Sequence, residues 1–211
     1  MTTPSGDAPD PAPQPASGAN VFIHESACVD AGAVLGAGSR VWHFVHVCDG
    51  AVIGRDVVLG QNVFVAPKVT VGDGCRVQNN VSLYTGVRLA EEVFVGPSAV
   101  FTNVRTPRAH VSRKEEFAPT DVGRRATIGA NATIVCGVTL GAACFVAAGA
   151  VVTRDVPPHV LVQGAPARAV GVVCDCGERL PNGLDPTCSR CGAQWRGDLD
   201  MGLRPRETAT Q

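Results

Sequence analysis

From Val21 onward one residue in every six is apolar in a fixed phase: Ile23, Val29, Leu35, Val41, Val47, Ile53, Leu59, Val65, Val71, Val77, Leu83, Leu89, Val95 and Phe101. After an interruption the phase resumes at Ile128, Ile134, Leu140, Val146 and Val152, which makes nineteen hexads. The first residue of each hexad is restricted as well, to Val, Ala, Ser or Cys. A short period kept this long defines a solenoid, because no single repeat can bury its apolar side chain without a neighbour stacked on it.

A period of six matches neither the 3.6 of a helix nor the alternation of a half-buried strand. It fits a coil of three short strands around a triangular section, each hexad giving one flat side and one corner. The third side chain then points inward, and the small or β-branched first residue fits beside it. Glycine takes the fourth position at Gly36, Gly54, Gly60, Gly72, Gly96, Gly129 and Gly141, where a corner is expected to need a sterically permissive backbone. The pattern resembles the hexapeptide signature of the left-handed parallel β-helix. The expected fold is therefore all-β, with about six coils and a prism roughly 30 Å long at the usual strand spacing.

At 211 residues and 45% hydrophobic content the chain can form one sizeable domain plus an appendage. A formal charge of -1 with no basic run argues against a nucleic-acid or membrane surface. Residues 1–20 hold five prolines and neither a cationic start nor an apolar run, so they read as a disordered tail and not a signal peptide. With no stretch apolar enough to span a bilayer, a cytoplasmic location is the default expectation. The expected division is a β-helix over 21–155, an extension over 156–172, a cysteine module over 173–195 and a flexible tail over 196–211.

Among the nine cysteines, Cys75 and Cys144 occupy first positions of hexads and read as core fillers; Cys28, Cys48 and Cys136 also lie inside hexads. The other four form Cys174-x-Cys176 and Cys188-x-x-Cys191, close together near the C-terminus. Two turn-forming thiol pairs at this spacing suit a tetrahedral structural zinc, with disulfides as the competing reading. Four thiolates leave no open coordination position, so a zinc here would cap or recruit and not catalyse.

Residues 105–125 break the repeat and then return an unbroken phase. A long insertion in an economical solenoid, rich in Arg105, Arg108, Arg113, Lys114, Glu115, Glu116 and Phe117, reads as an ordered lid. Three hexads make one coil, so residues three hexads apart stack, giving the outward ladders His43-Gln61-Asn79-Pro97, Phe44-Asn62-Asn80-Ser98 and Asp49-Pro67-Thr85-Asn103. Asn ladders also occur as purely structural stacks. Asn103 differs, since its ladder neighbours are not amides and it sits at the root of the insertion.

The runs GSRVWHFVHVCDGAVIG, GQNVFVAPKVTVG, VQNNVSLY, VFVGPSAVFTNVRTPR, RKEEF, ATIGANATIVCGVTLG, AAGAVVTRDVP and GAPAR resemble hexapeptide-repeat sugar N-acetyltransferases over about residues 21–170. Within that family the match is to enzymes that acetylate the 3-amino group of UDP-2-acetamido-3-amino-2,3-dideoxyglucuronate in surface polysaccharide biosynthesis. The resemblance implies a homotrimer, acetyl-CoA in a groove between two prisms, and a nucleotide-linked amino sugar nearby. It places acetyl-CoA along Gly129, Ala130, Ala147 and Ala148, with Arg154 and Arg168 meeting phosphate oxygens. Asn103 is implied as the catalytic residue, accepting a hydrogen bond from the sugar amine. Asn79, Asn80 and Tyr84 are expected to line the sugar or nucleotide, with Arg105, Arg113, Lys114 and Glu116 reaching in from the lid.

Two other readings stand beside it. A dTDP-linked 3-amino-dideoxyhexose has no carboxylate and would need fewer cations. A non-catalytic trimeric scaffold or a metal-dependent hydratase would use the same prism, but a hydratase needs three convergent histidines, and His43, His46 and His110 lack the late-coil spacing. His43 and His46 are equally compatible with ring packing beside Trp42 and Phe44.

Overall fold

The computed structural model describes residues 16–181 and 183–206; most of the proline-rich segment expected as a tail lies outside them. The chain forms the left-handed parallel β-helix expected from the hexads: very short strands follow one another around three faces. Face one holds seven strands in the ladder through Val34–Leu35 and Val52–Ile53, and face three holds seven in the ladder through His46–Val47 and Phe64–Val65. Face two, through Arg40–Val41 and Val58–Leu59, holds nine because Val160–Gln163 and Arg168–Val172 extend it past the last coil. Each residue pairs with its counterpart one coil on, as in Thr70 with Val52 and Arg88. No helix occurs among the described residues, so none is long and apolar enough to cross a membrane.

Seven coils form where about six were expected, for two reasons legible only in the pairing. Ala16–Ser17 pairs with Val34–Leu35, so the prism starts before Val21. Thr120–Val122 pairs with Val87–Leu89 and Thr139–Leu140, so the repeat also resumes earlier than Ile128. Before the interruption Ser82 pairs with Val100; across it Val100 pairs with Thr133, as if the intervening loop had been cut out. The excursion runs only from Asn103 to Ala118, whose backbones meet at its root, and the last hexad of the expected insertion 105–125 belongs to the prism. Thr120 in the restricted first position hid that hexad; it is buried, and its hydroxyl has no hydrogen-bond partner.

The glycines of the fourth position serve a different purpose from the one expected. None of the seven has a positive φ. The left-handed corner falls two residues later, where Phe44, Asn62, Asn80, Glu92 and Asn131 have φ between 55° and 62°. A Cβ on Gly36 would overlap the carbonyl carbon of Gly54, and one on Gly129 would lie 2.5 Å from the amide nitrogen of Ala148. These glycines let successive coils approach to hydrogen-bonding distance, and backbone atoms cannot move aside for a methyl group.

Inside, the third-position residues from Leu35 to Val152 are buried, and Phe101 is the largest of them. Cys75 and Cys144 fill first positions with no exposure; burial pushes their thiols up to about 11 and about 12, so neither is a reactive nucleophile. The C-terminal end of the prism is covered by the cysteine module. Val173 N donates to His159 O, Leu203 N donates to Pro158 O, and Gly202 packs on Pro158. The segment read as a flexible tail carries a hairpin, Trp195–Asp198 against Gly202–Pro205. Trp195 and Leu203 are buried and join the core, which is why the segment is ordered.

Candidate active site

Corners carry the outward-facing polar groups because the core constrains only the first and third positions of each hexad. Along the edge between faces two and three stand His43, Gln61, Asn79, Pro97, Ala130 and Ala148, one per coil. The amides Asn62 N, Asn80 N, Ser98 N, Asn131 N and Gly149 N donate to His43, Gln61, Asn79, Pro97 and Ala130 in turn, which verifies the ladder and carries it across the excursion. Asn79 Oδ1 accepts from Gln61 N at 2.9 Å, and Asn80 Oδ1 accepts from Asn62 Nδ2 at 3.2 Å. Both Asn acceptors are thus used within the stack, leaving the Nδ2 groups as outward donors. A shallow cleft of about 260 Å³ opens beside Asn79, walled by Trp42, His43 and Gln61. His43 stacks on His24 with ring centroids 3.6 Å apart.

Further along the same edge the side chains of Ala130, Ala147 and Ala148 are short, with Asn131 as the one longer group. Gly129 and Ala130 lie against Ala147 and Ala148, and at Gly149 a side chain would meet nothing within 4 Å. The result is an open strip of accessible backbone.

Asn103 lies on the other border of face three, directly after the strand Val100–Phe101. It is half-buried. Its backbone carbonyl accepts from Ala118 N at 2.9 Å and closes the excursion at its root, while Thr102 Oγ1 accepts from Cys136 N at 3.0 Å. The loop is thus pinned through backbone and Thr102, and the Asn103 carboxamide is left uncommitted. Tyr84 stands on the same edge one coil earlier, its ring 6.0 Å from Phe64. Arg105 turns along the edge toward the next coil, where a Cβ on Gly137 would come within 2.5 Å of its guanidinium. Within the excursion Arg113 pairs with Glu116 at 2.7 Å, so these two lid residues meet each other. Arg108, Lys114 and Phe117 border a cleft of about 410 Å³ lined by residues of the loop itself.

Arg154 and Arg168 come together at the C-terminal end of the prism. They share a cleft of about 350 Å³ with Thr153, Ala167, Leu199 and Asp200. Leu199 and Asp200 were not anticipated, since they belong to the turn of the hairpin read as tail. The alternation Trp195-Arg-Gly-Asp followed by Gly202-Leu-Arg-Pro was the available signal for it.

The sulfurs of Cys174, Cys176, Cys188 and Cys191 all lie within 4.8 Å of one another. Cys174 Sγ is 3.5 Å from Cys191 Sγ, and Cys176 Sγ is 3.6 Å from Cys188 Sγ. A disulfide would bring the sulfurs to about 2.05 Å, whereas thiolates about 2.3 Å from one tetrahedral zinc stand about 3.8 Å apart. The donor set fits zinc.

His159 joins this module to the prism. It is buried, its Nδ1 is 3.0 Å from Val173 O, and its ring lies tilted against that of Trp195 with centroids 4.2 Å apart. Burial holds its pKa below the usual histidine value. A depressed histidine pKa favours the neutral form in the folded state, so its contribution to stability is complete above about pH 6.5 and is lost as pH falls through the folded value. Thermal unfolding between pH 7.5 and 5 is expected to show this loss, at most about 1.4 kcal/mol per pH unit. In His159→Gln, which keeps a donor for Val173 O, that component should vanish; an unchanged pH profile would assign it elsewhere.

Family models match two stretches: "Bacterial transferase hexapeptide (six repeats)" over residues 32–67 and 50–84, and "Hexapeptide repeat of succinyl-transferase" over 119–154. A dTDP-3-amino-3,6-dideoxy-alpha-D-galactopyranose 3-N-acetyltransferase of Aneurinibacillus thermoaerophilus is 42% identical over 82 residues, which span 39% of this chain and 43% of that protein. The chain thus matches less than half the length of this relative. A hexapeptide-repeat acetyltransferase of Vibrio cholerae, solved with acetyl coenzyme A, is 31% identical, with 54% of this chain and 69% of that one covered at a TM-score of 0.45. A galactoside acetyltransferase solved with coenzyme A superposes at a TM-score of 0.52 with 24% identity, over 60% of this chain and 66% of that one, a likeness of fold.

Proposed function

The chain belongs to the hexapeptide-repeat transferases, and from that premise we propose that it is an acetyl-CoA-dependent N-acetyltransferase acting on a nucleotide-linked 3-amino sugar. The observation that carries this reading is the meeting of Arg154 and Arg168 in one cleft at the C-terminal end of the prism. Two guanidinium groups there suit the phosphates of coenzyme A, and the strip Gly129, Ala130, Ala147 and Ala148 lets its narrow arm approach backbone amides. Bound acetyl-CoA supplies an acetyl thioester.

The chain's own residues then have one task, to hold a neutral amine against that carbonyl. An amine with a pKa near about 8 is partly neutral at about pH 7, so a strong base is not required. Asn103 orients the amine through its uncommitted carboxamide oxygen. His159 is sequestered beneath the cysteine module and takes no part.

Within one prism, face three separates Asn103 from the small-residue strip. A homotrimer resolves this by setting the edge with Asn103 in one chain against the strip of its neighbour, which makes the site a groove between subunits. The four thiols of the C-terminal module hold a structural zinc, whose role is to cross-link a cap too small to have a core of its own.

For the acceptor, Arg105, Arg108 and Lys114 around the lid favour a UDP-linked 2-acetamido-3-amino-2,3-dideoxy uronic acid, whose carboxylate and diphosphate call for cations. A dTDP-linked 3-amino-dideoxyhexose is favoured by two observations: the relative that is 42% identical carries that substrate class in its name, and Glu116 already occupies Arg113. A thiol-release assay with acetyl-CoA and both acceptors separates them. Turnover with the uronate alone supports the first, turnover with the dTDP sugar alone supports the second, and silence with both overturns the enzymatic reading. In the active pairing, Arg154→Ala and Arg168→Ala are each expected to raise KM for acetyl-CoA about tenfold, as loss of a charge-assisted hydrogen bond implies. KM for the sugar should stay unchanged, and a change there instead would move the coenzyme site elsewhere.

A further inference from the structure

On the early coils, far from the C-terminal module, face three carries a second group of metal-ligating side chains. Cys28 pairs in register with His46. Alternate positions along a strand share a side, so Asp30 follows Cys28 and Cys48 follows His46 on the outward surface. Two adjacent coils thereby bring Cys28, Asp30 and His46 into one cluster, with the buried Cys48 beside His46. The sulfur of Cys28, a carboxylate oxygen of Asp30 and a ring nitrogen of His46 lie within 4.8 Å of one another. Three contacts define it: His46 Nε2 to Asp30 Oδ1 at 3.2 Å, Cys48 Sγ to His46 Nε2 at 3.8 Å, and Cys28 Sγ to Asp30 Oδ1 at 3.9 Å.

We propose that Cys28, Asp30 and His46, with Cys48 drawn in from beside His46 as the fourth donor, form a binding site for a borderline-soft divalent cation, of which zinc is the type. Two thiols, an imidazole and a carboxylate are a tetrahedral donor set for such an ion. The separations His46–Asp30, Cys48–His46 and Cys28–Asp30, at 3.2, 3.8 and 3.9 Å, lie close to the spacing of ligands about one ion, which for sulfur, nitrogen and oxygen donors is roughly 3.3–3.8 Å. The site also has an outer shell. Asp30 Oδ2 accepts from Asp49 N at 3.0 Å, which turns Oδ1 toward His46 and Cys28. Phe64 packs against the His46 ring with centroids 5.7 Å apart and fixes its plane. Orientation of ligands by such contacts is what separates a metal site from a chance cluster. The cation would clamp the first coil to the second near the end of the prism where Phe22 and Ile23 remain exposed.

The test is a Co²⁺ titration of the metal-stripped full-length protein under reducing conditions, followed by the thiolate charge-transfer and visible ligand-field absorption, with the same titration on a Cys28→Ser, His46→Ala double variant. The expected result is one Co²⁺ per chain fewer in the double variant, whatever the C-terminal cysteines bind, with a bound-ion spectrum that contains imidazole and thiolate ligands in the difference. Equal stoichiometry in the two proteins would overturn the proposal. Cys48→Ser alone should keep the ion and weaken its affinity at least about tenfold; an unaltered affinity would remove Cys48 from the set. Cys28 is exposed and His46 half-buried, whereas Cys48 is buried, so a far-ultraviolet circular dichroism spectrum equal to that of the wild type verifies in each variant that the prism is intact.

Discussion

Asn103→Ala is expected to lower kcat about a hundredfold while leaving the folded structure unchanged. The magnitude follows from the task assigned to the side chain: it aims a nucleophile, and loss of aim by a positioning group costs roughly that factor. The absence of a structural effect follows from geometry. The excursion is closed by the Asn103 carbonyl and the Ala118 amide, and the next coil is held by Thr102 Oγ1, none of which alanine removes. Steady-state kinetics in the thiol-release assay, read beside thermal unfolding, separate the two. Asn103→Asp is informative as well, because it keeps an acceptor and should retain more activity than alanine. Turnover within twofold of wild type in the alanine variant would remove Asn103 from the reaction.

Phe101→Ala is expected to destabilise the protein by about 4 kcal/mol. Phe101 is the bulkiest wholly buried side chain of the prism, in a column otherwise filled by Val, Leu and Ile. It pairs with Ile134 in the coil above, and the backbone hydrogen bonds of these coils prevent them from collapsing into the space a phenyl ring leaves. Phe101→Leu keeps most of the volume and should cost less than about 1.5 kcal/mol. Because Phe101 is close to Asn103 in the chain, the alanine variant should lose activity along with stability, and the leucine variant should lose little of either. Chemical denaturation at fixed protein concentration provides the measurement, and a loss below about 1 kcal/mol would show that the coils relax where their pairing says they cannot.

Hexad phase from Ile23 to Val152, with its resemblance to the hexapeptide signature, determined the fold, since an inward side chain in a three-sided coil recurs with that period. The same count, three hexads to a coil, determined which side chains stack, so the sequence by itself aligns His43, Gln61 and Asn79. Cysteine spacing likewise determined the module that Cys174, Cys176, Cys188 and Cys191 build. Where a hexad carried a polar residue in a restricted position, as at Ser17 and Thr120, the phase went unread, because composition is silent about a strand held by backbone hydrogen bonds.

Only the tertiary structure decided the rest. The fourth-position glycines turned out to answer to coil-to-coil approach and not to backbone conformation, a distinction that depends on atoms of the adjacent coil. The hairpin of Trp195–Asp198 and Gly202–Pro205 is ordered through Pro158 and the core, and so brings Leu199 and Asp200 to Arg154 and Arg168. The candidate site was legible residue by residue but not as an arrangement: Asn103 and the strip at Gly129 and Ala148 lie on different edges of the prism. Short-range pattern specifies what each coil is made of; which residues meet depends on packing between coils and on contacts that the linear order does not encode.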